Sequence, residues 1–171
     1  MGCDIHLYIE YKVNDGEWTA DPHHTMYDDD EGYLRDVSAS GRDYSLFGAL
    51  AGVRGDGPDP KGLPDDISPI IKSAAERYGD DGHSHSWTSL KDFKKILKDL
   101  GYEFPKSKDA FFNYGDYDFT TNPPPPAFTT VVNYCEDMEN NIEWIVFEKA
   151  VLTGGKGKYK IDVRLVYWFD N

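Results

Sequence analysis

From Cys3 to Val13 apolar and polar residues alternate. Ile5, Leu7, Ile9, Tyr11 and Val13 fall on one side, and Asp4, His6, Tyr8, Glu10 and Lys12 on the other. A period of two predicts a half-buried β-strand. Asn14-Asp15-Gly16 is a hairpin turn signal, and Glu17-Trp18-Thr19 is expected to return beside the strand. The next stretch, with His23-His24 and the acidic run Asp28 to Glu31, has no period and reads as a surface loop.

The period then lengthens. Asp43 is placed to cap a short helix carrying Leu46, Phe47, Leu50 and Ala51 on one face, followed by the turn-rich segment Gly52 to Pro58. Ser68-Pro69 starts a second helix, with Pro at the first helical position and Gly79 closing it. Ser89 caps a third, whose stripe is Leu90, Phe93, Ile96, Leu97 and Leu100, ended by Gly101. Between the second and third lies Asp81-Gly82-His83-Ser84-His85-Ser86-Trp87, which reads as a shaped turn. Residues 105–127 are irregular, and Pro123 to Pro126 cannot enter a sheet interior. Beyond them the composition turns back to strand: Ile142 to Val151, a loop at Thr153 to Gly157, and a final strand from Tyr159 to Trp168. The expected fold class is α+β, an antiparallel sheet formed by N- and C-terminal strands with about three inserted helices, in a single domain over residues 1–171.

Composition narrows the function. The 171 residues carry 31 acidic against 18 basic side chains, a net charge of −13. Such a surface repels a phosphate backbone, so sequence-independent nucleic-acid binding is not expected. Aromatics make up 15%, too many for a disordered acidic tail. No leader-like segment opens the chain and no apolar run approaches the ~20 residues that span a bilayer. A cytoplasmic protein is the expectation. The two cysteines, Cys3 and Cys135, have no ligand or redox spacing.

Two constellations could carry chemistry. Asp4 and His6 share a strand face, where side chains two apart lie roughly 6.5–7 Å from each other along the axis. His83 and His85 repeat that spacing beside a glycine. Together Asp4, His6, His83 and His85 would be a mixed oxygen and nitrogen set for a divalent metal, Zn or Mn. Alternatively, the first pair lines an open strand face and the second ties a loop between helices. Arg42-Asp43-Tyr44 and Arg54-Gly55-Asp56-Gly57 form the other constellation. Guanidinium forks match phosphate, glycines let backbone N–H groups approach an anion, and Tyr44, Trp87 or Trp168 offers a ring for a base. Ser86 joins Trp87 as a ligand-binding candidate. Arginines beside aspartates more often pair with them, and aromatics more often pack the core. Three segments (Asp4-x-His6, Gly55-Asp56-x-x-Asp59 and Gly82-His83-x-His85) echo calcineurin-like metallophosphoesterases. There, however, the first motif ends a buried strand rather than beginning one, and the Asn-His motif of that family is absent here.

The segments MGCDIHLYIEY, RDYSLFGALAGVRG, GLPDDIS, DGHSHSW and DVRLVYWFDN together resemble a set of small bacteriophage and prophage proteins. These open with Gly-Cys-Asp-Ile-His, carry Arg-Asn/Asp-Tyr-x-Leu-Phe and Asp-Gly-His-Ser-His-Ser-Trp, and close on Phe-Asp-Asn. The resemblance implies a phage origin, location in the cytoplasm of the infected host, and interference with host nucleotide metabolism or nucleotide-signal immunity. With it, the leading expectation is metal-dependent phosphoester hydrolysis. The metal on Asp4, His6, His83 and His85 would activate water, Arg42 or Arg54 would hold phosphate, and Asp43 or Asp81 would be the base. A non-catalytic protein that sequesters a cyclic-nucleotide messenger is the second expectation. An acidic inhibitor seated on a basic host protein is the third. The expected partner is a small nucleotide-like ligand, with no membrane, and a homo-oligomer is compatible with the sequence.

Overall fold

The computed structural model describes residues 2–21, 42–104, 128, 131–133, 135–136 and 160–171. In chain order the elements are β1 (Asp4–Val13), β2 (Thr19–Ala20), α1 (Tyr44–Ala51), α2 (Pro69–Arg77), β3 (His83–Ser89), α3 (Leu90–Asp99) and β4 (Ile161–Asp170). The sheet runs β2-β1-β4-β3 with every neighbouring pair antiparallel. The N- and C-terminal strands are therefore its centre, and the α+β architecture is the one the alternation and helix signals predict. The expected strand at Ile142 to Val151 and its following loop lie outside the described residues.

β1 pairs with β4 along its whole length, from Asp4 opposite Asp170 to Val13 opposite Ile161. Ile5, Leu7, Ile9 and Val13 meet Leu46, Phe47 and Leu50 of α1 and Leu90, Phe93 and Leu97 of α3 in one buried cluster. Leu100 departs from the expected stripe: it caps α3 and is exposed. Phe128, Val131, Val132 and Cys135 join the same cluster from helical residues. The composition of that region suggested strand. The spacing of its apolar residues is i, i+3, i+4 and i+7, and it is the spacing that the core selects.

The second face of β1 is also buried, which corrects the half-buried expectation. Tyr8, Val166 and Trp168 pack there with Ile71, Ala74 and Ala75 of α2. Glu10 (0% exposed) lies on this face opposite Arg164 (3%). Arg164 Nε donates to Glu10 Oε2 at 2.7 Å, and Glu10 Oε1 accepts from the Ser68 backbone N–H at 2.7 Å. Ser68 is the N-cap of α2, so the carboxylate faces the positive end of that helix. The guanidinium also donates to Asp66 Oδ1 at 2.6 Å and lies 4.0 Å from the Trp18 ring centroid. Those hydrogen bonds hold the Asp66 carboxyl below its ordinary range.

β3 corrects a second expectation. His83 to Ser89 is an edge strand rather than a turn, paired with β4. Its polar composition carries little strand signal, and it forms because the open side of β4 supplies a template. The outer edge is covered by the preceding loop, where Gly62 N–H donates to His85 O at 2.8 Å and Lys61 Nζ to Trp87 O at 2.9 Å.

Removing one partner of the buried pair leaves an uncompensated charge. Arg164→Met is expected to cost about 3–5 kcal/mol, and the double variant with Glu10→Leu is expected to be more stable than either single one. Urea unfolding of the four proteins measures both effects.

Candidate functional site

One end of the sheet gathers most of the residues singled out in the sequence. The starts of β1 and β3, the end of β4, the cap of α1, the loop after α1 and the turn after α2 all meet there. The antiparallel register is the cause, since it places Asp4 opposite Asp170 and His83 opposite Phe169.

The i, i+2 spacing of His83 and His85 does not put them on one face. Between His83 and Ser86, β3 advances three residues while β4 advances two, from Phe169 to Tyr167. The extra residue is accommodated at a bulge where Ser84 has a left-handed φ of 52°. His83 consequently stacks on Phe169, which belongs to the α1/α3 core, with centroids 6.2 Å apart. His85 stacks on Trp168, which belongs to the α2 core, at 5.9 Å. His6 lies with His85, 6.1 Å from Trp168. The four proposed metal ligands are thus divided by the sheet. Among the described residues no three His, Cys, Asp or Glu side chains form a group suited to a metal ion.

Asp4 instead accepts from Arg42 Nε and Nη2 at 2.9 and 3.0 Å, a bidentate pair that holds its carboxyl below the usual range. Asp43 caps α1: Leu46 N–H donates to Oδ1 at 3.0 Å, and the Tyr102 hydroxyl donates to Oδ2. Both carboxylate oxygens of Asp43 therefore accept hydrogen bonds from the fold itself. Asp81 is exposed in the turn after α2, where its N–H donates to Tyr78 O at 3.0 Å. Ser86 is buried and accepts from Lys61 N–H at 3.3 Å. Trp87 is opposite Val166, under Lys61 and beside Arg164, and so belongs to the packing of the second face.

On the α1 side of the sheet end, the Arg54 guanidinium lies 5.8 Å from the Tyr44 ring centroid, and its Nη2 donates to Asn171 Oδ1 at 3.3 Å. Glycines make this placement possible. A Cβ on Gly57 would fall 1.8 Å from Gly48 O, and one on Gly48 would fall 3.2 Å from Gly55 Cα. The loop is therefore pressed against α1, with Gly52 at φ 65° and Arg54 itself at φ 58°. Burial pushes the Cys3 thiol up, against the lowering pull of Arg54, so the sulfur is held as a thiol.

On the α2 side, His6 sits between two groups that sequence reasoning passed over. Its Nε2 is 3.4 Å from Asp170 Oδ2, and its Nδ1 is 3.0 Å from the Tyr78 hydroxyl. Asp170 is diagonal to His6 across the β1–β4 ladder, a relation legible only once the register is known. Tyr78 follows α2 as its C-cap and carries no sequence signal of its own. No helix among the described residues is long and apolar enough to cross a membrane.

Burial, then the neighbouring His83, lowers the His85 pKa. The neutral ring is the form the fold favours. This contribution to stability is therefore present above the ordinary histidine range, about 6.5, and is lost as pH falls through it. An NMR titration is expected to place the His85 midpoint below that value, and His85→Gln is expected to flatten the acid side of the stability profile. Gly57→Ala is expected to cost about 2 kcal/mol by overpacking against α1, measured by thermal unfolding. The chain matches no protein-family model, no curated protein and no solved structure.

Proposed function

We propose that the sheet end binds a small phosphate-bearing, nucleotide-like ligand, with Arg54 on phosphate and the Tyr44 ring against a base. One observation carries this reading. Tyr44 is 37% exposed, and it and Leu100 are the large apolar side chains left exposed among the described residues; Tyr44 holds that position beside a guanidinium. A ring and a fork side by side match the two ends of a nucleotide. Arg42, fixed by Asp4, supplies a second guanidinium at the same end. In a chain of net charge −13 these local cations favour a small anion and not a long polyanion.

The division of His83 from His6 and His85 favours recognition without a metal held by Asp4, His6, His83 and His85 together. The resemblance to phage proteins supports a host nucleotide signal as the ligand, and sequestration or turnover as the two uses of such a site.

Calorimetric titration with nucleoside monophosphates and cyclic dinucleotides tests the reading. Arg54→Ala and Tyr44→Ala are each expected to weaken binding about ten- to hundredfold, with Lys95→Ala, on the exposed face of α3, as a silent control. Equal affinity in wild type and both variants would sink the proposal. Heat release of the ligand followed by chromatography separates the two uses, intact ligand indicating sequestration and product indicating turnover.

A further inference from the structure

We propose that Tyr78, His6 and Asp170 form a nucleophile, base and orienting carboxylate that attack a phosphodiester without a metal. The substrate class rests on the nucleotide reading above; the reactivity of Tyr78 does not.

The geometry is that of an activated hydroxyl. A nucleophile within hydrogen-bond reach of a base, and that base oriented in turn by a third group, is the arrangement that makes a weak hydroxyl reactive. Here the Tyr78 hydroxyl is hydrogen-bonded to His6 Nδ1 at 3.0 Å. The opposite nitrogen, Nε2, is 3.4 Å from Asp170 Oδ2, an ion-pair distance without hydrogen-bond alignment, so Asp170 acts on the ring through its charge. A carboxylate at Nε2 favours the tautomer with the proton on that nitrogen, which leaves Nδ1 as the acceptor facing the phenol. Two further features point to a ligand at this place. The Trp168 ring centroid lies 5.6 Å from that of Tyr78, and its fully buried indole N–H has no acceptor among the described residues. Arg42, held by Asp4 one pleat from His6, is the adjacent cation.

The step balances without a co-reactant other than water. The Tyr78 oxygen forms a bond to phosphorus, the P–O bond to the leaving alkoxide breaks, and the Tyr78 proton passes to His6 Nδ1 and on to the alkoxide. Water then gives a proton to His6 Nδ1 as its oxygen bonds to phosphorus, the tyrosyl–phosphorus bond breaks, and His6 passes that proton to the Tyr78 oxygen. Asp170 touches none of the reacting atoms and is a positioning residue.

An aryl sulfonyl fluoride tests the nucleophile directly, because it labels activated tyrosines with loss of fluoride, and peptide mass spectrometry locates the adduct. Tyr44, the exposed tyrosine among the described residues, is the internal control. Tyr78 is expected to react about a hundredfold faster than Tyr44, and His6→Gln to remove that advantage. Among the described residues, the groups around His6 include Asp4 on β1, Asp170 and Trp168 on β4, Tyr78 after α2, and His85 across Trp168 from β3. Asp170→Asn is expected to slow labelling of Tyr78 and Asp170→Glu to restore it, with labelling of Tyr44 unchanged in both. Bis(4-nitrophenyl) phosphate is expected to release nitrophenolate and leave an acid-quenched phosphotyrosyl adduct at Tyr78, absent in Tyr78→Phe.

Labelling of Tyr78 no faster than Tyr44, labelling unchanged in His6→Gln, or absence of the phosphotyrosyl adduct each overturns the inference. Nucleotide binding that persists after such a result leaves the recognition reading standing. Labelled Tyr78 in a protein that binds no nucleotide does the reverse.

Discussion

The pairing of Glu10 with Arg164 is the constraint on which the arrangement turns. A carboxylate in the middle of a central strand, with no exposed surface, is costly unless every lone pair is used. Here one oxygen accepts from Arg164 Nε and the other from the backbone N–H of the residue that caps α2. The same contact therefore locks the register of the two central strands and anchors the start of the second-face helix. Once α2 is held at Ser68, its far end carries Tyr78 to the sheet end, where His6 and Asp170 wait. A charge buried at the centre decides what stands together at the rim.

The rim has two halves because of the β3 bulge. One extra residue between His83 and Ser86 sends His83 toward Phe169 and His85 toward Trp168. The α1 half presents Tyr44, Arg54 and Asn171, and the α2 half presents His6, Tyr78 and Asp170. The glycine loop after α1 serves the first half by closing on Gly48, so that Arg54 projects from a tight turn instead of trailing in solvent. The left-handed backbones of Ser84 and Arg54 flank this end, a concentration of strain that fits a site more than a scaffold.

Much of the frame was legible in the chain. The alternation of residues 3–13, Asp43 and Ser89 as caps, Pro69 at a helix start and Gly101 at a helix stop are local signals, and each element formed where its signal lay. The misreadings share a cause. β3 has a polar sequence that no local rule makes a strand, and it exists because β4 needs a partner. The helical residues around Val131 look β-branched in composition, but the core reads their spacing. Glu10 and Lys12 belong to the same polar row, yet one is sealed beneath α2 and the other is not, and no periodicity separates them.

For the site, the chain by itself determined the inventory: which histidines, arginines and tyrosines exist, and that several lie near element ends. Periodicity is enough for this, because it reports which way a side chain leaves its own backbone. Only the tertiary structure decided their company. Antiparallel closure of the two chain ends brought Asp170 to His6, the bulge parted His83 from His85, and the buried ion pair aimed α2 so that Tyr78 completed the row. Each of these is a contact between residues far apart in sequence, set by register and by the cost of an unpaired buried group.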